Sequence, residues 1–104
     1  MENRLKLHQA LLAILGTENV YFQPPENVHL TYPCIVYARA QVDSKFADNN
    51  PYSRTKRYSV TVIDRDPDSP LPDAVGGLPG SSFVTHFTKD NLNHDIYNIQ
   101  TQSF

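Results

Sequence analysis

Apolar and polar positions along this chain change period several times, and each change marks an element. From Asn3 to Leu15 the apolar residues Leu5, Leu7, Leu11, Leu12, Ile14 and Leu15 are interleaved with Arg4, Lys6 and Gln9. That spacing predicts a helix over residues 3–15, with Asn3 as N-cap and Gly16 as a left-handed cap. Asn19-Val20-Tyr21-Phe22-Gln23 has strand composition and runs into Pro24-Pro25, neither of which can donate to a ladder. A short edge strand over 19–23 follows.

Two longer stretches alternate with period two. Residues 34–43 begin apolar on both faces and become polar, while residues 54–64 begin polar and end apolar. They read as antiparallel arms of one long projecting hairpin, with the apolar ends together in the core and Ser44 to Ser53 at the tip. The stretch Tyr58 to Leu78 then breaks at an acidic, proline-rich corner and restarts with helix-initiating chemistry at Ser69 and Pro70. A short helix over 70–76 is expected, burying Leu71, Val75 and Leu78 and ending at Gly76-Gly77. Residues 82–89 and 93–100 form a closing hairpin around Asp90-Asn91-Leu92, and the tail 101–104 carries too little apolar content to dock. Strands of these lengths beside two helices define a single α+β domain.

Length and composition agree with that class. A chain of 104 residues buries roughly 65% of its extended surface on folding, enough for one core and too little for a second domain. A hydrophobic fraction of 39%, with 8 prolines and 6 tyrosines, implies a thin, partly aromatic core and many turns. The net charge of -2 provides no global attraction for nucleic acid or anionic lipid. The apolar run Leu11 to Leu15 is too short to span a bilayer, and Met1 to Arg4 do not lead into a secretion signal, so a soluble, non-secreted chain is expected. The single cysteine, Cys34, excludes an internal disulfide, and its apolar strand context predicts a buried structural thiol.

Candidate chemistry is sparse. Asp64, Asp66 and Asp68 alternate like the start of an EF-hand loop, but Ser69 stands where that loop needs glycine and Val75 where it needs glutamate. Asp66 and Asp68 are therefore read as acceptors of backbone hydrogen bonds in a turn beside the next helix. His8, His29, His86 and His94 show no zinc-ligand spacing. His94-Asp95 suggests an oriented imidazole near His86 across the closing hairpin, yet no nucleophile completes a site. Gly76-Gly77 and Gly80 follow a helix instead of opening one, which is not phosphate-loop order. No catalytic residue, metal or cofactor is assigned. Lys45, Arg54, Lys56 and Arg57 lie near Phe46, Tyr52 and Tyr58, a mixture also found in single-strand nucleic-acid binders. Asp43 and Asp48 on the same tip, and the acidic total, oppose that alternative.

The helix Leu5 to Gly16, the segments Asn19-Val20-Tyr21-Phe22-Gln23-Pro24-Pro25 and Tyr32-Pro33-Cys34-Ile35-Val36-Tyr37, the run Tyr58 to Ser69, and Asp90 to Tyr97 together resemble small tail proteins of long-tailed (siphovirus-type) phages of Gram-positive bacteria. Within that group the element order is similar to the tail terminator, or tail completion, proteins. The resemblance implies a mixed, mainly antiparallel sheet with helices packed on it. It further implies a non-enzymatic virion protein, made in the host cytoplasm, that forms a hexameric ring at the head-proximal end of the tail tube. Such a ring stops tail growth, contacts the tail tube protein and the head-completion protein, and passes DNA through its lumen without specific binding. Under this reading Lys45, Arg54, Lys56 and Arg57 of one subunit pair with Asp64, Asp66 and Asp68 of the next, and Phe46 and Tyr52 belong to the same candidate interface. A head-closure or connector protein of the same neck is the nearest alternative, and a small nucleic-acid-binding module is the alternative from another class.

Overall fold

The computed structural model describes residues 2–25, 27–40 and 57–101, with side chains from residue 4 onward. Its elements follow the order α1 (Glu2–Leu15), β1 (Val20–Phe22), β2 (Cys34–Arg39), β3 (Arg57–Asp64), α2 (Leu71–Gly76), β4 (Ser81–Lys89) and β5 (Leu92–Gln100). The strands form one sheet in the order β1-β2-β3-β5-β4. β3 is its spine. It pairs antiparallel with β2 from Cys34↔Ile63 to Arg39↔Tyr58, and with β5 from Arg57↔Gln100 to Asp64↔Asn93. β1 adds in parallel to β2, which makes the sheet mixed and leaves β1 and β4 as its edges.

The predicted pairing of the two long arms is present, and its apolar end is buried on both faces: Cys34, Ile35, Val62 and Ile63 are successive buried residues. Beyond Arg39, the Ala40 amide still donates to the Arg57 carbonyl at 2.9 Å. The remainder of the arms and the tip between them fall outside the described residues, and so does the expected long projection.

Both helices cover the same face of the sheet. Leu7 and Leu11 of α1 and Val75 of α2 join Val20, Ile35, Tyr37, Tyr58, Val60, Val62, Tyr97 and Ile99 in one buried cluster, bordered by Leu12, Ile14, Leu15, Leu71 and Leu78. Leu5 was expected within that stripe and is instead 49% exposed. The helical period explains the difference. Leu7, Leu11 and the Ile14-Leu15 pair recur at three- and four-residue steps, whereas Leu5 sits two positions from Leu7 and points away from it. Truncating a buried leucine such as Leu11 to alanine would cost about 2–5 kcal/mol by transfer and cavity effects.

Turn chemistry sets the joints. Gly16 closes α1 at φ +77, its amide donating to the Leu12 carbonyl at 2.8 Å. β1 stops where Gln23 takes φ 45 ahead of the two prolines. Asp90 and Asn91, at φ 55 and 63, form the tight two-residue connection between β4 and β5, and these residue types accept the left-handed region readily. The closing hairpin is thus one residue longer in each arm than its pattern predicts. Of the tail expected to be free, Thr101 is buried, following Ile99 and Gln100 off the end of β5, and residues 102–104 lie outside the described residues.

Gly80 holds the tightest joint. It adopts φ +76, and a Cβ there would stand 2.5 Å from the Gln100 carbonyl oxygen, while the Gly80 carbonyl accepts the Gln100 amide at 3.0 Å. The backbone contact seats the start of β4 against the end of β5. Gly80→Ala is expected to lower unfolding stability by about 1–3 kcal/mol in urea titrations. Gly77→Ala, where φ is -83 and the added carbon meets only ordinary contacts, is expected to change it by less than about 1 kcal/mol.

Candidate functional site

The residues proposed from sequence as an interface divide sharply. Lys45, Phe46, Tyr52, Arg54 and Lys56 lie outside the described residues. Arg57 opens β3 and is half-buried. Asp64 ends the same strand, seven residues along, and Asp66 and Asp68 follow it in the exposed corner. Asp64 Oδ1 accepts the Asp66 amide at 3.0 Å, and Asp66 Oδ1 accepts the Asp68 amide at 2.9 Å. These are consecutive side-chain turns, so the carboxylates shape the corner much as the pattern suggested, with Asp64 taking the role expected of Asp68. Ser69 Oγ accepts the Leu71 amide at 3.2 Å, supporting the first turn of α2 from one residue before Pro70.

The histidines separate by face. His86 stands opposite Asp95, and their side chains meet at 2.8 Å on the helix side of the sheet, with His86 exposed and Asp95 largely covered. His94, the neighbour of Asp95 in sequence, projects from the other face, where its ring stacks on Phe87 at 4.5 Å and 10°. Adjacency in a strand had suggested a His94–Asp95 pair, but period two sends successive side chains to opposite faces. Cys34, Ile63, His94 and Phe87 form one transverse row across β2, β3, β5 and β4. Two strand spacings, roughly 10 Å, therefore separate Cys34 from His94, and Ile63 fills the gap. The thiol is fully buried and is pushed up to about 11 by burial and then by the nearby Asp64 carboxylate. It is a structural thiol. Among the described residues no group of three His, Cys, Asp or Glu is placed to hold a metal ion.

One polar cluster was missed. The Tyr37 hydroxyl, at the end of a buried side chain, lies 2.6 Å from His8 Nδ1 and accepts from Arg4 at 3.3 Å, while the Arg4 guanidinium sits 4.4 Å from the centre of the Phe22 ring. Arg4 and His8 are one helical turn apart, and only the register that brings Tyr37 beneath them could have revealed the trio. Burial and then the Arg4 charge hold His8 below its ordinary value of 6.5. With the hydroxyl oxygen accepting from Arg4, its hydrogen is free to be donated to His8 Nδ1, and the cluster satisfies a buried hydroxyl.

Among the described residues the sheet edge at β4 is an exposed apolar surface. Ser82 to Lys89 is exposed throughout, and the large apolar residues Phe83, Val84 and Phe87 are 58%, 49% and 42% exposed. A register shift between Phe83 and Thr85 places Phe83 on the helix side, over Tyr97 at 5.5 Å, and Phe87 on the opposite side. Among the described residues no helix packs on that opposite side, where Val36, Thr61, Ile96 and Asn98 are half-buried. Among the described residues no helix is long and apolar enough to cross a membrane. An α+β domain with an open five-stranded sheet and an apolar edge is the class these features define. Comparison with protein-family models, characterised proteins and solved structures finds no match for this chain.

The His8 cluster generates a pH dependence. Because its folded value lies below its unfolded one, the unfolded chain binds more protons as pH falls through the 6.5 region, so this contribution to stability is complete above that pH and is lost below it. Melting temperature is expected to fall between pH 7 and 5, and His8→Gln is expected to flatten that fall. An unchanged slope in the variant would contradict the assignment.

Proposed function

We propose that this chain is an assembly subunit of a long-tailed phage neck, a tail terminator that forms a ring on the head-proximal end of the tail tube, stops its growth and joins it to the head. The observation that carries the reading is the exposed nine-residue edge strand β4 with Phe83, Val84 and Phe87 on it. A long edge of this composition invites a neighbour, and a ring of identical subunits provides one. The second face of the sheet, half-buried at Val36, Thr61, Ile96 and Asn98, adds area for the tail tube or head-completion protein. Phage-tail resemblance in the sequence supplies the biological setting, and the two arguments are independent of each other. A ring whose lumen carries no excess of positive charge would let DNA pass without holding it, in keeping with a net charge of -2.

Disrupting the gene in the phage that carries it tests the role. Full heads beside unjoined tails of uncontrolled length are the expected result in electron micrographs. Tails of normal length beside leaking heads would move the chain to head closure, and normal virions would overturn both neck roles.

A further inference from the structure

We infer that β4 is a homotypic pairing edge, at which the free chain forms a two-fold dimer by antiparallel addition of β4 from a second copy. The opposite sheet edge cannot serve as the mate over any length, because β1 has three residues and ends at Gln23 with its positive φ, before Pro24-Pro25. β4 itself has nine. From Ser81 to Thr88 it carries no Asp, Glu, Lys or Arg, and its one titratable side chain, His86, already meets Asp95 of its own hairpin. Proline and inward-pointing charge are absent from this strand, and its irregularity between Phe83 and Thr85 and its lysine, Lys89, lie at the two ends of the segment around Phe87.

The register follows from the irregularity between Phe83 and Thr85, since residues directly opposite must share a face. Thr85, Phe87 and Lys89 alternate onto the helix-free side, whereas Phe83 does not. Pairing centred on Phe87 satisfies this condition. It sets Phe87 against Phe87 of the second copy and His86 against Thr88, and it places Lys89 opposite Thr85, so no like charges meet. Each Phe87 brings its stacked His94, giving a continuous row of four rings across the two-fold axis. The matched segment, Thr85 to Lys89, has five residues and is roughly 17 Å long. That area is below the roughly 1,000 Å² of a permanent interface, so the dimer is reversible.

This pairing does not depend on the neck reading. A cyclic ring joins unlike surfaces, whereas a two-fold pair uses the same strand twice; in a phage neck, pairing would keep the edge closed until a ring neighbour replaced it.

The test is sedimentation equilibrium of the full chain at low salt, with charge placed opposite Lys89. Thr85→Glu creates two opposite-charge pairs per dimer and is expected to lower Kd by roughly three- to tenfold; Thr85→Lys creates two like-charge pairs and is expected to raise it by a similar factor. Both shifts should shrink in about 0.5 M salt. A misfolded variant would not bind more tightly, so the opposite signs protect the reading. A chain that stays monomeric to millimolar concentration would overturn it, as would shifts of the same sign. Phe87→Cys should also be linked rapidly by a short bis-maleimide, with the buried Cys34 silent, and Leu5→Cys on α1 slowly. Equal rates would overturn the register.

Discussion

Helix is scarce in this fold, and the rest of the structure depends on that. Fourteen residues of α1 and six of α2 are set against a sheet of five strands. They cover one face, where Leu7, Leu11 and Val75 meet the inward side chains of β1, β2, β3 and β5. Among the described residues no helix lies on the second face, and β4 is exposed from Ser82 to Lys89. Burial consequently grades across the transverse row from Cys34 and Ile63, which are buried, through half-buried His94 to exposed Phe87. Apolar driving force is strongest at the β2–β3 spine and weakest at the β4 edge.

The polar features are consistent with this gradient. Near the spine, a buried hydroxyl needs partners, and Tyr37 finds them in His8 and Arg4. At the acidic corner Asp64 and Asp66 each accept a backbone amide, and among the described residues no group is placed to hold a metal ion. Toward the edge, His86 and Asp95 pair in a partly wet setting where an ion pair contributes little to stability. What the edge offers is backbone and aromatic surface, the kind of surface that serves assembly better than bond chemistry.

Much of this was legible in the sequence. Period-two alternation located β2, β3 and β5, proline stops located β1, and the Leu7–Leu11 spacing located the buried stripe of α1. Local patterns could not reveal which face a bulged strand presents: the shift between Phe83 and Thr85 turned two phenylalanines to opposite sides. Nor could they show that β1 joins β2 in parallel, because that pairing is set by a connection and not by either strand. The Tyr37–His8–Arg4 cluster depended on long-range register in the same way. Of the interface residues named from sequence, Asp64 and Asp66 turned out to have local structural work, and Phe83, Val84 and Phe87 emerged as surface only once the sheet order placed β4 at an edge.

Backbone amide exchange in dilute protein tests most directly whether the outer edge is open. Amides of residues 57–64, flanked by strands on both sides, should exchange slowest, and alternate amides of residues 81–89, those turned away from β5, should exchange near the rate of an unprotected chain. Uniform protection along β4 in the monomer would mean that its edge is covered from within the chain, and would contradict the account.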